Sequence, residues 1–179
     1  MSGLFSHPPA RTGVSGGRPE LRFSAWVPAP GDHAWAGLTE HLHLWWPADE
    51  LSRWGEDSFF DLEDNALVET SAHDDENVWG EVTDSSSGEW LEMSWRQVGS
   101  ASTTVVRIEM APADEPASTS MTSTPSAPQR DGTGAVRTGV TLTLVHSGWT
   151  AEDPQDAYEF YRAFWPDALS RYRRFMGAS

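Results

Sequence analysis

Apolar and polar residues alternate with period two along much of this chain and switch to helical spacing in two places. Leu21, Phe23, Ala25 and Val27 alternate with Arg22, Ser24 and Trp26, which predicts a first strand ending at the Pro28-Ala29-Pro30 break. Trp35, Leu38, Leu42 and Trp45 then recur at helical spacing, with Asp32 as N-cap and Pro47 as terminator. Residues 48–55 offer a further short helix. From residue 58 to 110 the pattern is a series of short strands at 59–62, 66–71, 77–83, 90–97 and 103–110, with turn signals between them, as in an antiparallel meander.

The end of the chain is the most regular. Val140, Leu142, Leu144 and His146 share one face of a strand, while Thr141, Thr143 and Ser147 share the other. Tyr158, Tyr161, Trp165, Ala168, Tyr172 and Phe175 follow at helical spacing. Pro166 lies inside that helix, where it removes a donor, and predicts a split near Ala163 with a second helix starting at Pro166. Between the last two strands, residues 111–138 are rich in Pro, Ser and Thr and read as a disordered hairpin insertion. Residues 1–20 read as a loose tail. The order is strand, helix, five strands, insertion, strand and long helix, which gives one α+β domain over residues 21–176. Its antiparallel sheet grips the closing helix.

Composition narrows the function classes. With 179 residues the chain suits one domain, which at this size buries about 70% of its unfolded surface. The net charge of −15 argues against nucleic acid and anionic membranes as partners, and every basic residue is arginine. Cysteine is absent, so disulfides, thiolate metal sites and cysteine nucleophiles are excluded. Without a signal-like or membrane-spanning apolar run, the expected location is the cytoplasm. Ten tryptophans are the compositional outlier, and a buried indole needs a partner for its N–H.

These motifs, taken in order, resemble the SRPBCC (START-like) superfamily, and within it the domain similar to the activator of heat-shock protein 90 ATPase. The resemblance rests on FSAWVPAPGDHAWAGLT, Trp45-Trp46-Pro47, WGEVTD at Trp79 to Asp84 and LEMSW at Leu91 to Trp95. It continues through TGVTLTLVHSGW and through Phe164-Trp165-Pro166, where the family often has Gly-Trp, and covers residues 21–176. It implies a helix-grip fold, a curved sheet around a long C-terminal helix with a cavity between. It also implies binding of lipids, polyketides or other hydrophobic small molecules, with cyclase, hydrolase and chaperone-interacting branches.

Together these readings place a hydrophobic small molecule between sheet and closing helix, bound without catalysis. The expected walls are Trp45, Trp46, Met93, Trp95, Leu144, Phe164, Trp165 and Ala168, with His146 as polar anchor. His146 has two further readings: a general base, or a core histidine satisfied by hydrogen bonds. Ser147 points to the opposite face and cannot pair with it. No phosphate-binding loop, catalytic triad or metal-ligand spacing is found, so neither cofactor nor metal is expected. A polyketide cyclase or hydrolase, and a module that binds a chaperone, are the alternatives. Arg96 and Arg107 read as outward surface charge.

Overall fold

The computed structural model describes residues 17–96, 100–116 and 137–178. It has seven strands: β1 Leu21–Val27, β2 Phe59–Glu63, β3 Ala66–Thr70, β4 Glu76–Ser86, β5 Trp90–Trp95, β6 Thr104–Asp114 and β7 Thr138–Ser147. Two α-helices, α1 Gly31–Thr39 and α2 Gln155–Phe175, and a 3-10 turn at Leu42–Leu44 complete it. All strand pairs are antiparallel in the order β1-β7-β6-β5-β4-β3-β2. The fold is α+β: a curled half-barrel sheet wrapped around a long C-terminal helix.

Period two does what the sequence demands. In β5 and β7 every second side chain is buried, placing Leu91, Met93, Trp95, Val140, Leu142, Leu144 and His146 on the inner face. Register shifts in β3/β4 and β4/β5 add local twist, which helps the sheet curl. The β2–β3 hairpin turns on Asp64 and Asn65, both at positive φ (46° and 63°), as a two-residue turn requires for matching strand twist. Gly139 is needed for close approach. A Cβ there would sit 2.2 Å from the Val27 carbonyl oxygen and 3.0 Å from the Trp26 indole, which lies across β7 to donate to Ala113 O.

Around the first helix, three expectations change. Asp32 does not cap α1; the helix starts at Gly31 after Pro30, whose extended ψ of 151° makes the break, and Asp32 stands in the first turn. That helix ends at Thr39 instead of running to Pro47. Trp45 and Trp46 are both buried, and consecutive helical residues diverge by about 100°. The chain unwinds through the 3-10 turn, and both indoles then face inward. Residues 48–55 form turns in place of a short helix.

The closing helix is continuous across Pro166. Pro166 and Arg162 are both exposed, so the Arg162 carbonyl deprived of its donor meets water. On the other side Tyr161, Phe164 and Trp165 before the proline, and Ala168, Leu169 and Tyr172 after it, are buried against the sheet and hold both halves in line. The low-complexity stretch also starts later than residue 111. The β6–β7 ladder continues through Ala111↔Thr141 to Asp114↔Thr138, and residues 117–136 lie outside the described residues, as do residues 1–16 of the expected tail.

The far end of α2 is tied to the first elements. Tyr172 Oη donates to Ala34 O at 2.5 Å and Arg173 Nε to Trp26 O at 2.8 Å. At its start, Asp153 accepts from the Ser102 amide and hydroxyl (3.1 and 2.7 Å) and from the Thr150 amide and hydroxyl (2.7 and 2.9 Å). Burial raises this carboxyl's pKa, but those four donors outweigh it and bring it down to about 2.

Replacing Pro166 by alanine restores an N–H for the Arg162 carbonyl and removes the ring clash. Urea unfolding of Pro166→Ala should show a gain of about 1–3 kcal/mol at unchanged m-value.

Candidate functional site

Between the inner face of the sheet and α2 lies a void of about 30 Å³. Its lining is almost wholly apolar and comes from every layer: Leu38 and Leu42, Trp45 and Trp46, Leu62 and Leu67, Met93 and Trp95, Val106 and Ile108, Leu142 and Leu144, and Trp165, Ala168 and Tyr172 among others. The void is small and lined by hydrocarbon and aromatic faces, and an apolar void of that kind stays dry.

Seven of the nine residues expected to form the site line this void: Trp45, Trp46, Met93, Trp95, Leu144, Trp165 and Ala168. Phe164 and His146 do not. Phe164 sits one layer behind, edge-on to Trp46 at 5.6 Å and stacked on Phe160 at 5.5 Å. Leu62 and Leu67 were missed; the buried alternation of β3 carries the signal for Leu67, while β2 is too short to show one.

The void is apolar because each indole turns its N–H away from it. Trp45 Nε1 donates to Gly37 O at 2.9 Å, Trp46 Nε1 to Leu51 O at 3.3 Å and Trp95 Nε1 to Tyr161 Oη at 2.9 Å. Trp79 Nε1 reaches Glu69 Oε2 at 2.8 Å, and Trp149 Nε1 reaches His146 O at 3.2 Å. Trp46 joins the irregular segment to the aromatic cluster. Its ring stacks on Phe60 at 5.2 Å and lies within 6.4 Å of Trp45, Trp95, Phe164 and Trp165.

His146 is fully buried, and both of its ring nitrogens are engaged. Trp165 Nε1, which can only donate, reaches Nδ1 at 3.0 Å, so Nδ1 is the acceptor and the proton sits on Nε2. Nε2 then donates to Thr104 Oγ1 at 2.8 Å, and the threonine hydroxyl donates onward to Trp95 O at 3.3 Å. Burial pushes the imidazole pKa down to about 3, so the ring is neutral near pH 7. Neither a free lone pair nor a free N–H faces the void.

The segment from residue 40 to 58, which carries Trp45 and Trp46, belongs to no strand and covers one side of the void. Two attachments hold it. Glu69, buried on β3, accepts from the Ser52 hydroxyl, from the Arg53 amide at 2.9 and 3.0 Å and from the Trp54 amide at 3.3 Å. Burial raises the Glu69 pKa, but the bonds from Ser52, the Arg53 amide and Trp79 outweigh it and keep the carboxyl below its usual range. On α2, Arg171 binds Asp49 at 2.6 Å and Glu50 at 3.0 Å. No group of three His, Asp or Glu side chains among the described residues is placed to hold a metal ion, and no described helix is long and apolar enough to cross a membrane.

The depressed His146 pKa makes stability depend on pH. The unfolded chain takes up a proton below pH about 6.5 while the folded ring resists until about 3, so stability is lost as pH falls through that window. The slope approaches about 1.4 kcal/mol per pH unit. Between pH about 6.5 and 4.5, above the carboxylate range, His146→Asn should remove that slope in thermal or urea unfolding; an unchanged slope would contradict it. Glu69→Ala, which strands the buried Trp79 N–H and releases the part-buried Ser52, Arg53 and Trp54 donors, should cost about 2–4 kcal/mol in the same assay.

The chain matches no protein-family model and no curated protein sequence. It is similar in structure to BH1534 from Bacillus halodurans, with TM-score 0.52 and 17% identity over 90% of this chain and 99% of that one. It is similar also to the Aha1 dimer from Colwellia psychrerythraea, with TM-score 0.51 and 10% identity over 89% of this chain and 96% of that one. XoxI from Bacillus cereus gives TM-score 0.51 and 10% identity over the same shares, 89% and 96%. At such identities the likeness is one of fold alone: a curled antiparallel sheet around a long C-terminal helix.

Proposed function

We propose that this protein is a non-catalytic binding module of the SRPBCC type that takes a hydrophobic small molecule between the sheet and α2. The observation that carries this reading is the apolar void itself, at the sheet–helix interface and lined from both sides by side chains that offer contact but no chemistry. Ligand pockets hold about 300–1,000 Å³, so binding requires the aromatic lining to part, and the closed state lowers the apparent affinity. A cyclase or hydrolase would need a general base facing its substrate. Among the described residues the lining supplies none, and His146 is committed to Trp165 and Thr104.

A second reading, a module that binds a chaperone, is favoured by one feature. His43 stacks on Phe59 at 4.6 Å, and Phe59 and Leu44 remain 44% and 58% exposed at the β2 edge of the sheet.

Neutral apolar compounds from indole to 1-octanol, screened by thermal shift and native mass spectrometry, separate the two readings. Ligand binding predicts retained adducts and a shift that grows with concentration, reaching about 2.7 kcal/mol at a hundredfold excess over Kd. Absence of any adduct or shift would sink it. Binding of purified heat-shock protein 90 that Phe59→Ser or Leu44→Ser abolishes would favour the second.

A further inference from the structure

The inner void has a neighbour on the surface. A depression of about 440 Å³ beside the C-terminal end of α2 is lined by Leu44, Trp45, Trp46, Arg171, Arg174 and Phe175. Trp45 and Trp46 line the void as well, so this pair of indoles is a partition between the two spaces.

The two indoles are held differently. Trp45 donates to Gly37 O in α1 and is fixed to a helix. Trp46 donates to Leu51 O, five residues along the same irregular segment, through a long bond of 3.3 Å. When that segment shifts, the Trp46 N–H keeps its acceptor. Swinging Trp46 outward therefore strands no buried donor, the usual obstacle to moving a buried indole.

Charge at the mouth is also uneven. Arg171 is saturated by Asp49, Glu50 and Asp167 at 2.6, 3.0 and 2.7 Å. Arg174 makes no ion pair among the described residues, an unneutralised cation on a chain of net charge −15. Exposed Leu44 and Phe175, at 58% and 37%, add apolar surface to the same depression. A cation beside an apolar mouth that opens on an apolar interior suits one shape of molecule.

We propose that the ligand is a single-tailed amphiphile with an anionic head, which passes between sheet and α2 by displacing Trp46 and leaves its head on Arg174. This rests on the reading that the interior takes a hydrophobic molecule, and it adds the route and the head group.

The test compares decanoate, decanol and decyltrimethylammonium, one tail with three heads, by isothermal titration below the micelle concentrations of the two ions and the solubility limit of decanol. Decanoate should bind most tightly. Arg174→Gln should weaken decanoate about three- to fivefold, as for an exposed ion pair, and leave decanol unchanged. Arg174→Glu should turn the preference toward the ammonium, and Arg96→Gln, on the outer face of the sheet, should alter nothing. Trp46→Phe, which keeps an aromatic core with a smaller plug, should tighten all three. Equal affinity for the three heads, or a preference that Arg174 does not govern, overturns the proposal and leaves hydrophobic binding standing. No binding of any of them by wild type or by Trp46→Phe overturns both.

Discussion

Closing a sheet over tryptophans requires an acceptor for every indole N–H, and the positions of those acceptors shape the rest of this molecule. An unpaired buried donor costs about as much as a core cavity, so none can be left on the inner face. Trp95 is satisfied by Tyr161 of α2, Trp165 of α2 by His146 of β7, and Trp79 of β4 by Glu69 of β3. Two of these bonds run between sheet and helix, so they fix the rotation and height of α2 as well as satisfying polar groups.

The same requirement empties the interior of chemistry. With each N–H turned outward, what remains between the layers is hydrocarbon and aromatic face. His146, the one titratable side chain on the inner face of β7, spends both nitrogens in the chain from Trp165 through Thr104 to the Trp95 carbonyl. Such a network rigidifies the core when complete and is costly when broken. A polar residue in the middle of an aromatic core can thus serve architecture alone.

Rigidity is not uniform. The sheet is laddered from β1 to β2, and α2 is pinned at both ends. The segment from residue 40 to 58 has no ladder and depends on Glu69, Arg171 and its own tryptophans. Stability is lowest where backbone pairing is sparse, and this is where a space of about 30 Å³ could widen.

Most of the fold could be read along the chain. The alternation in β1, β5 and β7 and the aromatic stripe of α2 are local consequences of period 2.0 and period 3.6, and they put Trp95, Leu144, Trp165 and Ala168 on the inward faces without knowledge of their neighbours. Where the reading failed, long-range packing overruled a local rule. Pro166 breaks helices, yet burial of Tyr161 and Phe164 on one side and Leu169 and Tyr172 on the other keeps α2 whole. Trp45 continues a helical pattern, yet burying Trp46 beside it unwinds the turn. Parity put His146 inside but could not say what it touches, because Thr104 and Trp165 are 42 and 19 residues away. The sequence alone therefore determined the elements, their order and the inward faces, all set by neighbours along the chain. Only the tertiary structure decided how much room is left and which polar groups are already spent, because both depend on side chains that meet only once the sheet has closed on the helix.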